Sequence, residues 1–226
     1  GFGHVFNSSV LSDDVFIVED FIEGEELACD AFYDANGVPA INAIYRHAFT
    51  DRDDTRDLVY YTSVDVVAQY LEGMTELLES IAALTGIRNF PVHIEVRLSG
   101  QQIIPIEVNP LRFGGFGLAD LALHAFGVNS YRNYFNDEKP DWRSIFDRDD
   151  KRFYAFIVGQ RPDVFDPQKH VIDHAAYRRT FADLLEYVPI DATRYRFFST
   201  ALARSGELSD LLKYLHIDFT QFRRDK

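Results

Sequence analysis

The sequence predicts an α+β fold: an antiparallel β-sheet with flanking helices, followed by a small α+β appendage at the C-terminal end. Three observations favour this class, namely β-rich runs separated by turn residues, a long apolar stripe at helical spacing, and two alternating strands joined by a short tip. The 226 residues are 46% hydrophobic and 15% aromatic. That is enough to bury a core in one large domain or two modest ones.

The first part of the chain reads as an antiparallel meander. Residues 14–22 and 26–33 are β-rich, the run Asp-Ala-Asn-Gly at 34–37 favours a reversal, and 38–45 follows as the returning strand. A charged loop is expected over residues 46–62. Aspartates surround its arginines, so solvated charge is the default interpretation of that loop.

The clearest helix signal covers residues 63–85. Ser63 is a favourable N-cap and Gly86 a favourable stop. The predicted core-facing stripe of this helix consists of Val67, Tyr70, Leu71, Met74, Leu77, Leu78 and Ile81. Two shorter helices are predicted at 117–126 and 130–135.

A shift in composition at residues 136–141 indicates a boundary. The predicted domains are therefore a lobe over 14–136 and a small α+β region over 137–226, preceded by a short segment at 1–13. In the C-terminal region we expect strands at 153–158 and 196–202, and helices at 177–187 and 207–215. No motif there points to catalysis.

The charge balance argues against two classes of partner, although local basic pockets remain possible. The formal net charge is −13, whereas binding to nucleic acid or to an anionic membrane requires a basic surface. No apolar run is long enough to span a bilayer. The single cysteine, Cys29, fits a reducing cytosol, so we expect a cytoplasmic protein in which Cys29 is a core residue rather than a catalytic thiol. A homodimer is left open.

The most informative stretch is the hairpin formed by residues 90–97 and 103–110. Alternation places Glu95 on the face opposite the apolar one, and Glu107 joins it only if the turn contains an odd number of residues. A three-residue turn at 98–100 is therefore predicted. A two-residue turn at Ser99-Gly100 would separate the two carboxylates.

Two carboxylates, Glu95 and Glu107, and the amide of Asn109 suit Mg²⁺ or Mn²⁺, which take further ligands from water and phosphates. The alternative is that both carboxylates only decorate a solvated face. The sequel Pro-Leu-Arg-Phe-Gly-Gly favours a site. His93 and Arg97 share this face, where they either orient phosphate or substrate, or balance the acidic charge.

Two segments resemble the ATP-grasp superfamily. The run Phe-Ile-Val-Glu-Asp-Phe-Ile-Glu-Gly-Glu-Glu at 16–26 resembles the hinge strand, and His-Ile-Glu at 93–95 with Ile-Glu-Val-Asn-Pro at 106–110 resembles the paired metal-binding strands. The resemblance covers 14–136, which implies the C-terminal lobe of the ATP-grasp domain. The ending of the second motif is similar to bacterial relatives of carboxylate-amine ligases.

The resemblance implies ATP and Mg²⁺ (or Mn²⁺) as cofactors. The implied adenosine-binding residues are Glu19, Asp20, Phe21 and Ile22 at the adenine edge and Glu26 at the ribose hydroxyls; the implied metal ligands are Glu95, Glu107 and Asn109. Arg112 would contact the acyl-phosphate or the substrate carboxylate, although Leu111 departs from the spacing of many such ligases. By themselves, Glu19 and Glu26 would read as an ordinary acidic strand edge.

The implied activity is ATP-dependent activation of a small-molecule carboxylate as an acyl-phosphate, which an amine or thiol then attacks. Residues 1–13 resemble only the tail of a Gly-rich loop, so the upstream lobe is expected to be missing through truncation, omission of a mobile segment or evolutionary loss. The alternative functions are a non-catalytic nucleotide- or metal-binding module derived from such a ligase, and a plain interaction domain.

Overall fold

The computed structural model describes residues 18–148 and 150–226. Within them the strands are β1 (Glu25–Tyr33), β2 (Pro39–Ala48), β3 (Val59–Thr62), β4 (Phe90–Ser99), β5 (Gln102–Pro110), β6 (Phe153–Gln160), β7 (His170–Ile172), β8 (Leu184–Pro189), β9 (Phe197–Ser205) and β10 (Arg223–Asp225). The helices are α1 (Val64–Thr85), α2 (Leu118–Phe126), α3 (Ser130–Asn136), α4 (Trp142–Phe146), α5 (His174–Arg178) and α6 (Ser209–Leu212). No helix in the described part is long and apolar enough to cross a membrane.

Eight strands form one antiparallel sheet in the order β5-β4-β1-β2-β3-β6-β9-β8, and β7 pairs with β10 separately. This confirms the predicted antiparallel sheet with flanking helices. Strand β3 was missed, because it lies inside the charged segment that the sequence assigns to a loop. Its burial comes from pairing with β6, about a hundred residues away along the chain.

The predicted strand at 14–22 is not observed in its described part. Residues 18–22 belong to no strand, with Val18 92% exposed and Phe21 51% exposed. Residues 14–17, like the predicted segment 1–13, lie outside the described residues. Regular pairing begins only after Gly24, whose φ of 141° and close approach to the Leu98 carbonyl leave no room for a side chain.

Helix α1 confirms its prediction at both ends. The Ser63 hydroxyl accepts a hydrogen bond from the Val66 N–H, and Gly86 ends the helix in the left-handed conformation with φ 68°. The Tyr33 hydroxyl donates to the Leu78 carbonyl (3.0 Å), which ties α1 to one face of β1. Of the predicted stripe, Val67, Met74 and Leu78 are buried, and Tyr70, Leu71, Leu77 and Ile81 are partly buried against the same core.

The opposite face of β1 meets the segment that follows the hairpin. Phe32 packs with Phe113 and Ala119 in a small cluster that includes Tyr134 of α3. Helix α2 also packs on β6. The loop 111–117 is therefore held against the sheet between the end of β5 and α2, and this arrangement positions the site described below.

The C-terminal strands β6, β9 and β8 extend the same sheet past β3. The domain boundary expected at 136–141 stays a prediction. Strands β3 and β6, which lie on either side of it in the sequence, are hydrogen-bonded to each other. The predicted helix at 177–187 is wrong over most of its length. Helix α5 ends at Arg178, and residues 184–189 form β8 because they pair with β9. The predicted helix at 207–215 is a short α-helix followed by a 3-10 turn.

Candidate active site

The hairpin of β4 and β5 brings the two predicted carboxylates face to face, but by another route than the one predicted. Glu95 pairs with Glu107, and His93 pairs with Asn109. The predicted odd turn is wrong, because Ser99 pairs with Gln102 across a two-residue turn in which Gly100 has φ 62°.

A β-bulge corrects the parity that this turn would impose. Val96 pairs with Pro105, so an uninterrupted ladder would place Ile106 opposite Glu95. Ile106 is instead an extra residue on β5, and Glu107 takes the position opposite Glu95. The carboxylates therefore share a face through an irregularity in the strand, not through the length of the turn.

Asp30 is a buried anchor that the sequence reasoning missed. Its side chain is fully buried, and its Oδ1 accepts hydrogen bonds from His93 Nδ1 (2.8 Å) and from the Gly114 N–H (2.7 Å). The Tyr45 hydroxyl donates to Oδ2 at 3.3 Å. A charged residue inside the apolar run Leu-Ala-Cys-Asp-Ala was the available signal, because an unpaired buried carboxylate is very costly.

His93 links this anchor to the hairpin carboxylate. Burial alone would lower the pKa of His93, but hydrogen bonds to Asp30 and Glu95 raise it to about 9. Its Nε2 lies 3.4 Å from Glu95 Oε1. The hydrogen bond from His93 is the main reason that the pKa of Glu95 is lowered, with Arg112 adding to the effect. Glu95 is thus held as an anion.

Arg112 reaches the site because the backbone turns sharply before it. Leu111, the residue that departs from the usual spacing, has φ 60° and donates its N–H to the Pro91 carbonyl (3.0 Å). Arg112 then lies on the cavity side of the loop, where Nη1 donates to the Phe113 carbonyl (3.2 Å). The inserted residue is absorbed by a left-handed backbone conformation, and Arg112 still faces the site.

A cavity of about 660 Å³ opens beside these groups. Its lining includes Glu95, His93 and three guanidinium groups from separate parts of the chain, namely Arg56, Arg112 and Arg196. The apolar part of its lining is formed by Leu58, Tyr60, Phe116, Leu118, Phe156, Val158 and Phe197. Arg196 gave no signal in the sequence, because it enters the site only through the pairing of β9 with β6.

Glu26 lies on the same face of β1 as Asp30, four residues earlier in the strand. It is 6% exposed, with Oε1 2.6 Å from His47 Nδ1 and Oε2 2.8 Å from Arg97 Nη2. The segment 19–22 precedes this point, and Phe21 lies beneath the guanidinium of Arg52 at 4.4 Å. Glu19 and Asp20 are exposed, Phe21 is half-exposed and Ile22 is partly buried. The residues predicted to bind adenosine therefore lie near Arg97, not beside Glu95.

The donor set fits a hard divalent cation. No group of three His, Cys, Asp or Glu side chains in residues 18–148 and 150–226 is arranged to hold a metal. Two paired carboxylates with an amide on the same face nevertheless match Mg²⁺, which binds one or two carboxylates together with substrate phosphates. Asn109 Nδ2 is buried without a hydrogen-bond partner, so the orientation of this amide is not fixed by other protein groups.

Comparison with known proteins gives one family and several similar folds. Residues 2–120, slightly more than half of the chain, match the model of the ATP-grasp domain family. No curated protein matches the sequence.

Solved structures share the fold at low sequence identity. They include an L-amino acid ligase from Bacillus licheniformis (TM-score 0.63, 16% identity, covering 91% of this chain and 55% of that one). A phosphoribosylglycinamide synthetase from Anaerococcus prevotii has a TM-score of 0.60 at 16% identity, covering 92% and 54%. An N5-carboxyaminoimidazole ribonucleotide synthetase from Thermotoga maritima has 0.58 at 13%, covering 92% and 54%. The chain thus spans about half the length of these proteins.

Proposed function

This chain belongs to the ATP-grasp family, and on that premise we propose that it supplies the metal-binding lobe of an ATP-dependent carboxylate-amine ligase. The observation that carries the proposal is the cavity beside the hairpin. It combines Glu95, held anionic and paired with Glu107, with the guanidinium groups of Arg112 and Arg196. Carboxylates that can hold a cation and guanidinium groups that can hold anions are the parts that phosphoryl transfer to a carboxylate requires.

The proposed ligands of Mg²⁺, or Mn²⁺, are Glu95, Glu107 and Asn109. When bound, such an ion neutralises charge on the phosphates of ATP. His93 holds Glu95 in place from the protein side, and Asp30 in turn holds His93. A fixed carboxylate loses less freedom when it binds a cation than a mobile one does.

Arg112 is the proposed clamp for the substrate carboxylate and its acyl-phosphate, since a guanidinium can hold two oxygens at once. In the proposed reaction a carboxylate oxygen accepts the γ-phosphoryl group and ADP leaves. The nitrogen of a neutral amine then attacks the acyl carbon, the C–O bond to phosphate breaks, and the nitrogen releases a proton. Arg112 and Arg196 stabilise the phosphate-bearing species by their positive charge.

For the nucleotide we propose the backbone of residues 19–22 at the adenine edge and Glu26 at the ribose hydroxyls. Support for Glu26 comes from its fixed position, because His47 and Arg97 hold both of its oxygens. We further propose that the chain consists of a lobe over residues 14–136 and a C-terminal region over 137–226. Its substrates would be small molecules and its location cytoplasmic. Homodimer formation stays open.

The test is ADP release by the full-length gene product, assayed with ATP and Mg²⁺ against a panel of carboxylates and amines. We expect Glu107→Gln to lower the rate by about 10²-fold or more, since it removes a charged metal ligand. The matched control is Glu72→Gln, at an exposed position on α1. Equal rates in both variants would contradict the metal assignment. Mg-ATP binding without turnover on any substrate pair would favour the non-catalytic module.

A further inference from the structure

A second cavity adjoins the first and has no part in the chemistry above. It measures about 410 Å³ and lies between the start of α2 and the strands β8 and β9. The two cavities share Phe116, Phe197 and Thr200 in their linings. A molecule that fills the second cavity therefore ends beside the first.

The lining of this side cavity is mostly apolar but carries negative charge. Its apolar wall consists of Val188, Ile190, Tyr195, Phe197, Ala201 and Leu202. Its two carboxylates are Asp120 and Glu186, and its lining contains no lysine or arginine. Glu186 has a partner in His124 (3.3 Å), whereas the Asp120 carboxylate makes no hydrogen bond or ion pair with any described residue. Burial, followed by the charge of Glu186, raises the pKa of Asp120.

Phe116 stands where the two cavities meet, and its backbone is strained. Its φ is 54°, in the left-handed region that non-glycine residues rarely adopt, and its side chain is 70% exposed. The ring packs edge-on against Phe197 with centroids 5.2 Å apart. Left-handed residues of this kind concentrate at ligand sites, and this one holds an exposed aromatic ring at the junction.

We propose that the side cavity binds the amine substrate, and that this substrate is a primary amine with an apolar body and no carboxylate of its own. The proposal rests on the ligase function proposed above. The ammonium group lies at Asp120, whose carboxylate takes one proton from it to leave the neutral amine. The apolar body lies against Val188 and Ile190, and the nitrogen points past Phe116 towards Arg112. An α-amino acid is a poorer fit, because its carboxylate would lie near Asp120 and Glu186 with no basic side chain in the lining.

The volume agrees with this class of ligand. Sites for small molecules usually have volumes of about 300–1,000 Å³, mainly apolar walls and a few polar groups that fix orientation. The side cavity meets all three conditions. Its position next to Arg112, which also shares a surface depression with Asp120 and Phe116, places the amine near the carboxylate it would attack.

The test is direct binding to the full-length protein by calorimetry, with three probes that share the 3-methylbutyl group. We expect 3-methylbutylamine to bind at least about tenfold more tightly than 3-methylbutanol or leucine, because a charged hydrogen bond contributes about 1.5–3 kcal/mol. Asp120→Asn should remove the preference for the amine. Val188→Ser should weaken the binding of the amine and the alcohol alike, and Glu72→Gln should change nothing.

Equal affinity for the amine and the alcohol, or an unchanged preference in Asp120→Asn, would overturn the assignment. A circular dichroism spectrum identical to that of the parent protein confirms that each variant is folded. Because binding is measured without turnover, the result is independent of the ligase proposal. Amine binding that depends on Asp120 as expected supports the cavity assignment even if no substrate pair yields ADP. The absence of ADP release would count against the proposed reaction.

Discussion

The carboxylate of Asp30 accepts a hydrogen bond from the backbone N–H of Gly114, 84 residues later in the chain, at 2.7 Å. The same oxygen accepts from His93 Nδ1 at 2.8 Å. Asp30 is fully buried, so both bonds form away from water, where a charged acceptor interacts strongly. One side chain of β1 therefore fixes both the strand that carries Glu95 and the loop that carries Arg112.

We expect Asp30→Asn to damage the site more than the fold. The amide oxygen keeps the shape and can still accept the hydrogen bonds from His93 and Gly114, but it carries no negative charge to compensate a cationic His93. The free energy of unfolding should fall by about 1–3 kcal/mol, and ADP release by the full-length protein should fall by about 10–100-fold. Urea unfolding and the steady-state rate measure the two effects.

Tyr45→Phe is the matched control, since it removes only the longer hydrogen bond to Asp30. We expect it to lower the free energy of unfolding by about 1 kcal/mol while leaving the rate within a factor of a few. If Tyr45→Phe and Asp30→Asn lose activity equally, the role assigned to the His93 and Gly114 contacts is incorrect.

The second prediction concerns strand β5 and follows from the bulge at Ile106. Deletion of Ile106 turns the pairing into a regular ladder, because the residue after Pro105 is then Glu107, still opposite Glu95. We therefore expect this deletion to keep Mn²⁺ affinity in the presence of ATP. Deletion of Val108 leaves that pair intact but turns Asn109 to the other face, and should weaken Mn²⁺ binding by about tenfold or more.

Electron paramagnetic resonance of Mn²⁺ with the full-length protein distinguishes the two deletions. Ile106→Ala keeps the length of the strand and serves as the control for the loss of the side chain, which is 36% exposed. Equal loss of Mn²⁺ in both deletion variants would show that the pairing of Glu95 with Glu107 is not what holds the ion.

The parts of the fold that the sequence predicted are those with local causes. Ser63 and Gly86 determine the ends of α1 through hydrogen bonds within one turn of the helix. The face shared by Glu95 and Glu107 was predicted from alternation together with an odd turn, and that turn is wrong. The register of the two strands could not be predicted, because a bulge depends on how two strands pair and not on the residues of one strand.

The parts that were missed depend on contacts distant in sequence. Strand β3 reads as a charged loop and becomes buried through β6. Arg196 reaches the cavity because β9 pairs with β6, and no motif around it gave a signal. Asp30 could have been identified as a buried charge, but its partners His93 and Gly114 could not be read from spacing.

The ion pair of Asp34 with Lys139 (2.7 Å) predicts a pH-dependent contribution to stability. The hydrogen bond from Lys139 is the main cause that lowers the pKa of Asp34 to about 2. A carboxyl group with a lowered pKa stabilises the folded state above its ordinary pKa, and this contribution is lost as the pH falls towards 2. Asp34→Asn should therefore lower stability near pH 7 by up to about 1 kcal/mol, with the difference shrinking below pH 4.

Urea unfolding of the parent protein and the variant across this pH range measures that difference. The amide of asparagine can still accept the turn hydrogen bonds from the N–H groups of Asn36 and Val38, so the comparison isolates the charge. Lys139→Gln should reproduce the effect from the other partner. A gap between parent and variant that is the same at pH 7 and pH 3 would exclude the ion pair as its cause.

Leu111 gives the last prediction, because both its backbone conformation and its exposure favour glycine at this position. A left-handed backbone (φ 60°) costs a non-glycine residue about 1–2 kcal/mol, and the side chain is 71% exposed, so its removal sacrifices little burial. We expect Leu111→Gly to raise the free energy of unfolding by up to about 1 kcal/mol, less the entropy cost of glycine, with ADP release retained. Leu111→Val should lower it, since β-branching disfavours this region. The control is Leu84→Gly, at a leucine in α1 that is 88% exposed, which should be destabilising by about 1 kcal/mol. A loss of stability in Leu111→Gly as large as in Leu84→Gly would contradict the strain assigned to the residue that precedes Arg112.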